Sequence, residues 1–165
     1  MSPSAYASLR WYVISIVVLL SDLGTKYMAV LWLEPYQPQV ITSFFNFTLA
    51  FNRGAAFSFL SEASGWQRWF FVILGLVVSV VIIAWIRRLG SGEQRTAAGL
   101  SLILGGALGN VSDRVSQGQV TDFLDVHYLA WHWPTFNVAD SAITVGVVLL
   151  LVDSVLSSRK EAQGR

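Results

Sequence analysis

Trp69-Phe70-Phe71-Val72-Ile73-Leu74-Gly75-Leu76-Val77-Val78-Ser79-Val80-Val81-Ile82-Ile83-Ala84-Trp85-Ile86 contains no ionisable side chain. A helix needs about 20 such residues to cross bilayer hydrocarbon. Three more stretches read the same way: Trp11 to Leu33, broken only by Asp22 and Lys26, the glycine-rich Thr96 to Val111, and Val138 to Leu156. Composition agrees, with 54% hydrophobic and 13% charged residues, where a soluble domain carries about 25% charged. The sequence therefore predicts an α-helical polytopic membrane protein, one integral domain over 1–165 with four transmembrane helices near 11–33, 69–86, 96–111 and 138–156. A cleaved signal peptide is the competing reading of the first span. No small-x-small cleavage site follows Leu20, and Asp22 and Lys26 arrive instead, which favours a retained helix. With no cysteine and a net charge of +1, disulfides, thiolate metal sites and a cysteine nucleophile are excluded, and nothing points to nucleic acid.

Lys and Arg near span ends set orientation. With both termini cytoplasmic, the inner side holds Arg10, Arg87, Arg88, Arg95, Arg159, Lys160 and Arg165, and the outer half Lys26, Arg53, Arg68 and Arg114. The acids lie the other way, with Asp22, Glu34, Glu62, Asp113, Asp122, Asp125 and Asp140 towards the outer side. Polar chemistry is concentrated at one membrane face.

Residues 34–68 are too aromatic for a linker and are expected to fold as an extracytoplasmic cradle, and residues 112–137 as a second outer segment. Phe45 to Asn52 alternates, with Phe45, Phe47, Leu49 and Phe51 on one side and Asn46, Thr48, Ala50 and Asn52 on the other, the period of a half-buried strand. Asn52-Arg53-Gly54 supplies turn residues, and Ala56 to Leu60 is expected to return as a short strand. Its apolar side needs cover, and lipid or a greasy substrate is what the outer surface offers. Ser64 to Trp69, with Trp66 and Trp69 flanking Arg68, reads as an interfacial anchor helix. Gly118 to Tyr128 alternates again and sets Asp122 with Val120, Leu124 and Val126, and Asp125 with Thr121 and His127.

Within Gly105-Gly106-Ala107-Leu108-Gly109 a Gly-x-x-x-Gly spacing predicts close helix approach. Asp113 and Arg114 read either as a charge pair or as part of a site. Asp22 and Lys26, one turn apart, read first as an ion pair neutralised in lipid, with a Ser-Lys dyad as the weaker option. His127 and His132, separated by aromatics, make a poor metal site, and no Gly-x-Ser-x-Gly or His-Glu-x-x-His occurs. Asn137 suits an N-cap, and Asp140 falls three residues later, so capping alone explains that acid. Asp122, also at the outer edge among apolar neighbours, suggests more. Two converging carboxylates share a proton, as in aspartic proteases, and could activate water against a peptide carbonyl.

Five stretches carry a resemblance: Asp22-Leu23-Gly24-Thr25-Lys26; Asn52-Arg53-Gly54-Ala55-Ala56-Phe57-Ser58; Gly105-Gly106-Ala107-Leu108-Gly109-Asn110 with Asp113-Arg114; Val120-Thr121-Asp122-Phe123; and Phe136-Asn137-Val138-Ala139-Asp140-Ser141. In order and spacing the chain closely resembles the lipoprotein signal peptidase (signal peptidase II) family over nearly its whole length. The resemblance implies a bacterial inner-membrane aspartyl endopeptidase with an outer β-cradle. It would cut the signal peptide from a prolipoprotein just before a diacylglyceryl-modified cysteine. It implies a catalytic dyad at Asp122 and Asp140, with Asp22, Lys26, Asn52, Gly54, Asn110, Arg114 and Asn137 binding substrate or shaping the site. The implied partners are prolipoprotein signal peptides and membrane lipid, acting on a monomer with its active site near the extracytoplasmic face and with no cofactor or metal. Leu23 stands where the family usually has Gln, so any hydrogen bond made from that position is missing here. The rival reading is a small ion- or proton-coupled transporter using Asp22, Lys26, Asp122 and Asp140 as relays. It fits the composition equally well, but in the inner half only Asp153 is available to such a path.

Overall fold

The computed structural model describes residues 3–54 and 65–163. Four helices, α1 (Pro3–Trp32), α2 (Trp66–Ile86), α3 (Gln94–Gln117) and α4 (Val138–Gln163), carry at one end a small antiparallel sheet. Its strands are β1 (Gln39–Thr42), β2 (Phe45–Asn52), β3 (Val120–Tyr128) and β4 (Trp131–His132), in spatial order β1-β2-β3-β4. The helical membrane class with its small antiparallel sheet is as the sequence predicts.

Among the described residues, three helices are long and apolar enough to cross a membrane: Leu9–Trp32, Trp66–Ile86 and Val138–Ser158. Ile73, Val77, Val80 and Val81 of α2 all point outward, because lipid is as good a solvent for them as a protein core. The remaining helix, α3, packs against α1, α2 and α4. That enclosed position accounts for its lower apolarity, since its surface meets other helices and is built from small residues. A Cβ on Gly105 would lie 2.6 Å from the Ser15 carbonyl oxygen of α1. A Cβ on Gly106 would strike the Ala139 carbonyl of α4, and one on Gly109 the Asp22 carboxylate. The Gly-x-x-x-Gly reading is thus a matter of backbones in near contact on two sides of one helix. At the other end, a Cβ on Gly99 would lie 2.8 Å from the Gly146 carbonyl oxygen, and one on Gly146 2.6 Å from that of Gly99.

The sheet is fixed to the helices by a buried cluster of Ala29, Leu49 and Phe123, flanked by Leu33, Phe51 and Val138. One feature departs from simple alternation. Phe47 pairs with Leu124 and Ala50 with Asp122, so Thr48 and Leu49 together face Phe123 alone, which is a one-residue β-bulge. Strict alternation sets Asn52 on the face of Asn46 and Thr48. Beyond the bulge Ala50 sits opposite Asp122 and Asn52 opposite Val120, and paired residues share a face, so Asn52 comes to the Asp122 side.

Among the described residues there is no separate interfacial helix. Gly65, at φ 97°, turns the chain directly into α2, and Trp66 and Trp69 belong to that helix's first turn. The return strand expected at Ala56 to Leu60 lies outside the described residues.

Candidate functional site

Asp122 and Asp140 reach one cleft from different elements, Asp122 from near the start of β3 and Asp140 from the first turn of α4. The cleft has a volume of about 1210 Å³ and is also lined by Asn52, Asn110 and Arg114. Its size exceeds the range of roughly 300–1,000 Å³ typical of small-ligand pockets and suits a segment of polypeptide.

Asn137 joins the two acids. Its Nδ2 donates to Asp122 Oδ1 at 2.6 Å, and its Oδ1 accepts the Asp140 backbone N–H at 2.9 Å. Asp140 Oδ2 in turn accepts the Asn137 backbone N–H at 3.2 Å. This is a reciprocal capping box, which satisfies two donors that the start of α4 would otherwise leave unpaired. Capping and site-building are therefore the same bonds.

A second chain of contacts runs from α1. Lys26 Nζ lies 2.7 Å from Asp22 Oδ2 and 3.1 Å from Asp113 Oδ2, and donates to Asn110 Oδ1 at 3.1 Å. An ammonium can only donate, so the Asn110 oxygen must face Lys26 and its Nδ2 must face away. That nitrogen donates to Asp140 Oδ1 at 2.8 Å. Asp22 Oδ1 accepts the Ala139 N–H at 2.8 Å, and Asp113 Oδ2 accepts the Thr121 N–H at 3.0 Å. The buried charges thereby tie α1 and α3 to the starts of α4 and β3, where the two acids stand.

The Asp22–Lys26 pair is present as expected, whereas Asp113 and Arg114 do not pair with each other. Arg114 instead donates from Nη2 to the Gly54 carbonyl at 3.0 Å and from Nη1 to the Asn110 carbonyl at 3.3 Å, with Phe71 under its guanidinium. Asn52 Oδ1 accepts the Gly54 N–H at 3.0 Å, a side-chain turn that presents the Gly54 carbonyl to Arg114. All nine residues predicted for the site are thus gathered at one place. Asn52, Asn110, Arg114, Asp122 and Asp140 face the cleft, and Asp22, Lys26, Gly54 and Asn137 hold them from behind.

Burial, followed by the nearby Asp140 charge, pushes the Asp122 carboxyl up to about 7, against hydrogen bonding from Asn137 and Asn52 that favours the ionised form. Asp125 behaves oppositely. Burial would raise it, but hydrogen bonds from His132, Asn46 and Thr48 together hold it below the usual carboxylate range. Sequence reasoning missed two contributors here. Asp113 reads from sequence as a charge partner of Arg114 or as part of a site, but not as a partner of Lys26, although an acid one turn beyond Asn110 on α3 could have been matched to that ammonium. The Asp125–His132 pair spans a hairpin that the sequence pattern did not register.

Two carboxylates lining one cleft of a helical membrane domain suit a membrane aspartic peptidase. The family model described as signal peptidase (SPase) II matches residues 14–156. Proteins named lipoprotein signal peptidase are similar throughout. That of Paraburkholderia phytofirmans is 53% identical, covering 88% of this chain and 84% of its own. That of Teredinibacter turnerae is 49% identical, covering 96% and 94%. A bacterial membrane enzyme solved by the in meso method at 2.3 Å superposes with a TM-score of 0.80 at 30% identity, over 90% of this chain and 89% of that one. The chain belongs to the signal peptidase II family, and it is accordingly an aspartic peptidase of a bacterial membrane.

Proposed function

We propose that this protein removes the signal peptide from diacylglyceryl-modified prolipoproteins, cutting just before the lipidated cysteine, with Asp122 and Asp140 as the catalytic dyad. Family membership and the names of its relatives support the substrate class. The observation that carries the dyad is the Asn137 bridge, which binds one acid through its side chain and the other through a capping box.

In this reading Asp122, raised to about 7, holds the shared proton, and Asp140 is the base. Asp140 takes a proton from water as the water oxygen bonds to the scissile carbonyl carbon. Asp122 gives its proton to the carbonyl oxygen, leaving a neutral gem-diol. Collapse breaks the C–N bond as Asp140 protonates the departing amine and a gem-diol hydroxyl returns a proton to Asp122, so that both acids end as they began. Asn52, Asn110 and Arg114 line the same cleft and bind the substrate backbone.

The four helices cross the inner membrane with both termini cytoplasmic, the sheet lies over the outer leaflet, and the monomer is the working unit. The relay alternative gains nothing from the inner half, where Asp153 is engaged by Thr96 at 2.6 Å and lies 3.9 Å from Arg95. Asp122→Asn and Asp140→Asn, assayed on a lipid-modified precursor in detergent, should each lower turnover by at least about 10²–10⁴-fold. Wild-type turnover in either variant would remove the dyad.

A further inference from the structure

One polar pair faces the cleft without a part in the dyad. Asp125, buried in β3, accepts Asn46 Nδ2 at 3.1 Å, Thr48 Oγ1 at 3.0 Å and His132 Nδ1 at 2.8 Å. Three acceptor contacts and a depressed titration keep it ionised, so the His132 Nδ1 must carry the proton it shares. That fixes the neutral ring's tautomer and leaves Nε2 as an acceptor. His127 stacks on the ring at 4.9 Å between centroids, 20° from parallel, which fixes its plane. Among the described residues Nε2 has no partner, and His132 is 47% exposed while lining the cleft with Asp125, Trp133 and Pro134. A side chain anchored at one nitrogen, held in plane and open at the other is built to meet something.

The direction of the cleft says what. At its other end it is lined by Ile143, Thr144 and Val145, one to two turns down α4 and therefore within the apolar helical layer. A substrate whose signal segment lies along that end must leave the membrane towards the sheet, where His132 stands. Asp122 and Asp140 lie between. Resting on the cleavage reading above, we infer that His132, anchored by Asp125, is a binding residue for the polypeptide that follows the modified cysteine, accepting a backbone N–H or hydroxyl from that segment.

The test uses two lipid-modified precursor peptides with the same signal segment, one ending at the modified cysteine as its amide and one extended by several residues. The quantity read is the ratio of kcat/KM, extended over truncated, for the full-length enzyme. His132→Phe keeps a ring against His127 but lacks the acceptor, and should lower that ratio by about 10-fold, the worth of one well-placed hydrogen bond. If that variant does not fold, His132→Asn, which can still donate to Asp125 but does not reach the Nε2 position, is read in the same way. A ratio equal to or above wild type, whatever the absolute rates, overturns the inference and leaves His132 a structural strut. Failure of the wild-type enzyme to cut either peptide would instead sink the cleavage reading itself.

Discussion

At the scale of single residues, the buried charges of Asp22, Lys26 and Asp113 stand behind the two acids of the cleft. Asp122 pushed up to about 7 makes a prediction with a definite sign. If turnover needs Asp122 protonated, kcat/KM should fall as pH rises through about 7, by about tenfold per unit on the alkaline limb. A rate profile still rising between pH 7 and 9 would contradict it. Stability follows the same sign, because the folded protein keeps a proton that the unfolded chain has released. The Asp122 contribution is complete below the ordinary carboxylate value of about 4 and is lost as pH rises through about 7. Lys26 is the second residue with a measurable consequence. Its single ammonium lies between Asp22 and Asp113, both buried, so Lys26→Met leaves two carboxylates without their shared cation. The expected cost is roughly 3–5 kcal/mol, read as a lowered thermal midpoint in detergent. Adding Asp113→Asn should recover part of that loss, and a double variant no better than the single would refute the pairing. These bonds were legible only in part. The Asp22–Lys26 spacing announces an ion pair, but nothing in the order of residues says that Asn110 and Asp113, more than eighty positions later, close around the same ammonium.

At the scale of elements, α3 does most to position the site, because small residues let it touch two neighbours at once. Gly106 abuts the Ala139 carbonyl in the first turn of α4, and Gly99 meets Gly146 further down the same helix pair. Alanine at either position should destabilise by about 1–3 kcal/mol through overpacking, offset by up to about 1 kcal/mol of helix propensity. The two should part company in catalysis. Gly106→Ala displaces the turn that bears Asp140 and should lower kcat by at least about 10-fold, since misplacement by 1 Å can cost about 10²-fold, whereas Gly99→Ala should leave kcat within about twofold. Equal kcat in the two variants would argue that α4 tolerates the shift. The glycine spacing was readable from sequence as a packing signal, and which helix each glycine meets was not. The sheet shows the opposite limit. Alternation in Phe45 to Asn52 announces a strand, yet the extra residue at Thr48 and Leu49 reverses the face of everything after it. A bulge follows from how two strands register against each other, so no property of either strand alone discloses it.

For the molecule as a whole, topology is the property most open to test, and the chain helps by having no cysteine of its own. Single cysteines at Val40, in exposed β1, and at Ser91, in the loop between α2 and α3, should label oppositely in intact cells. An impermeant thiol reagent should reach Val40→Cys from outside and Ser91→Cys only after the membrane is broken. The reverse pattern would invert the proposed orientation. Apolar run length and total charge are local or additive quantities, so the sequence by itself determined that this is a helical membrane protein. The capping box at Asn137 and Asp140 was equally local, since its bonds close within three residues. The convergence of Asp122 with Asp140, the orientation of the Asn110 amide by Lys26, the transfer of Asn52 across β2 and the pairing of Asp125 with His132 were decided only by tertiary structure. Each depends on distances between elements that the chain connects by tens of residues, and such distances are set by how helices and strands pack.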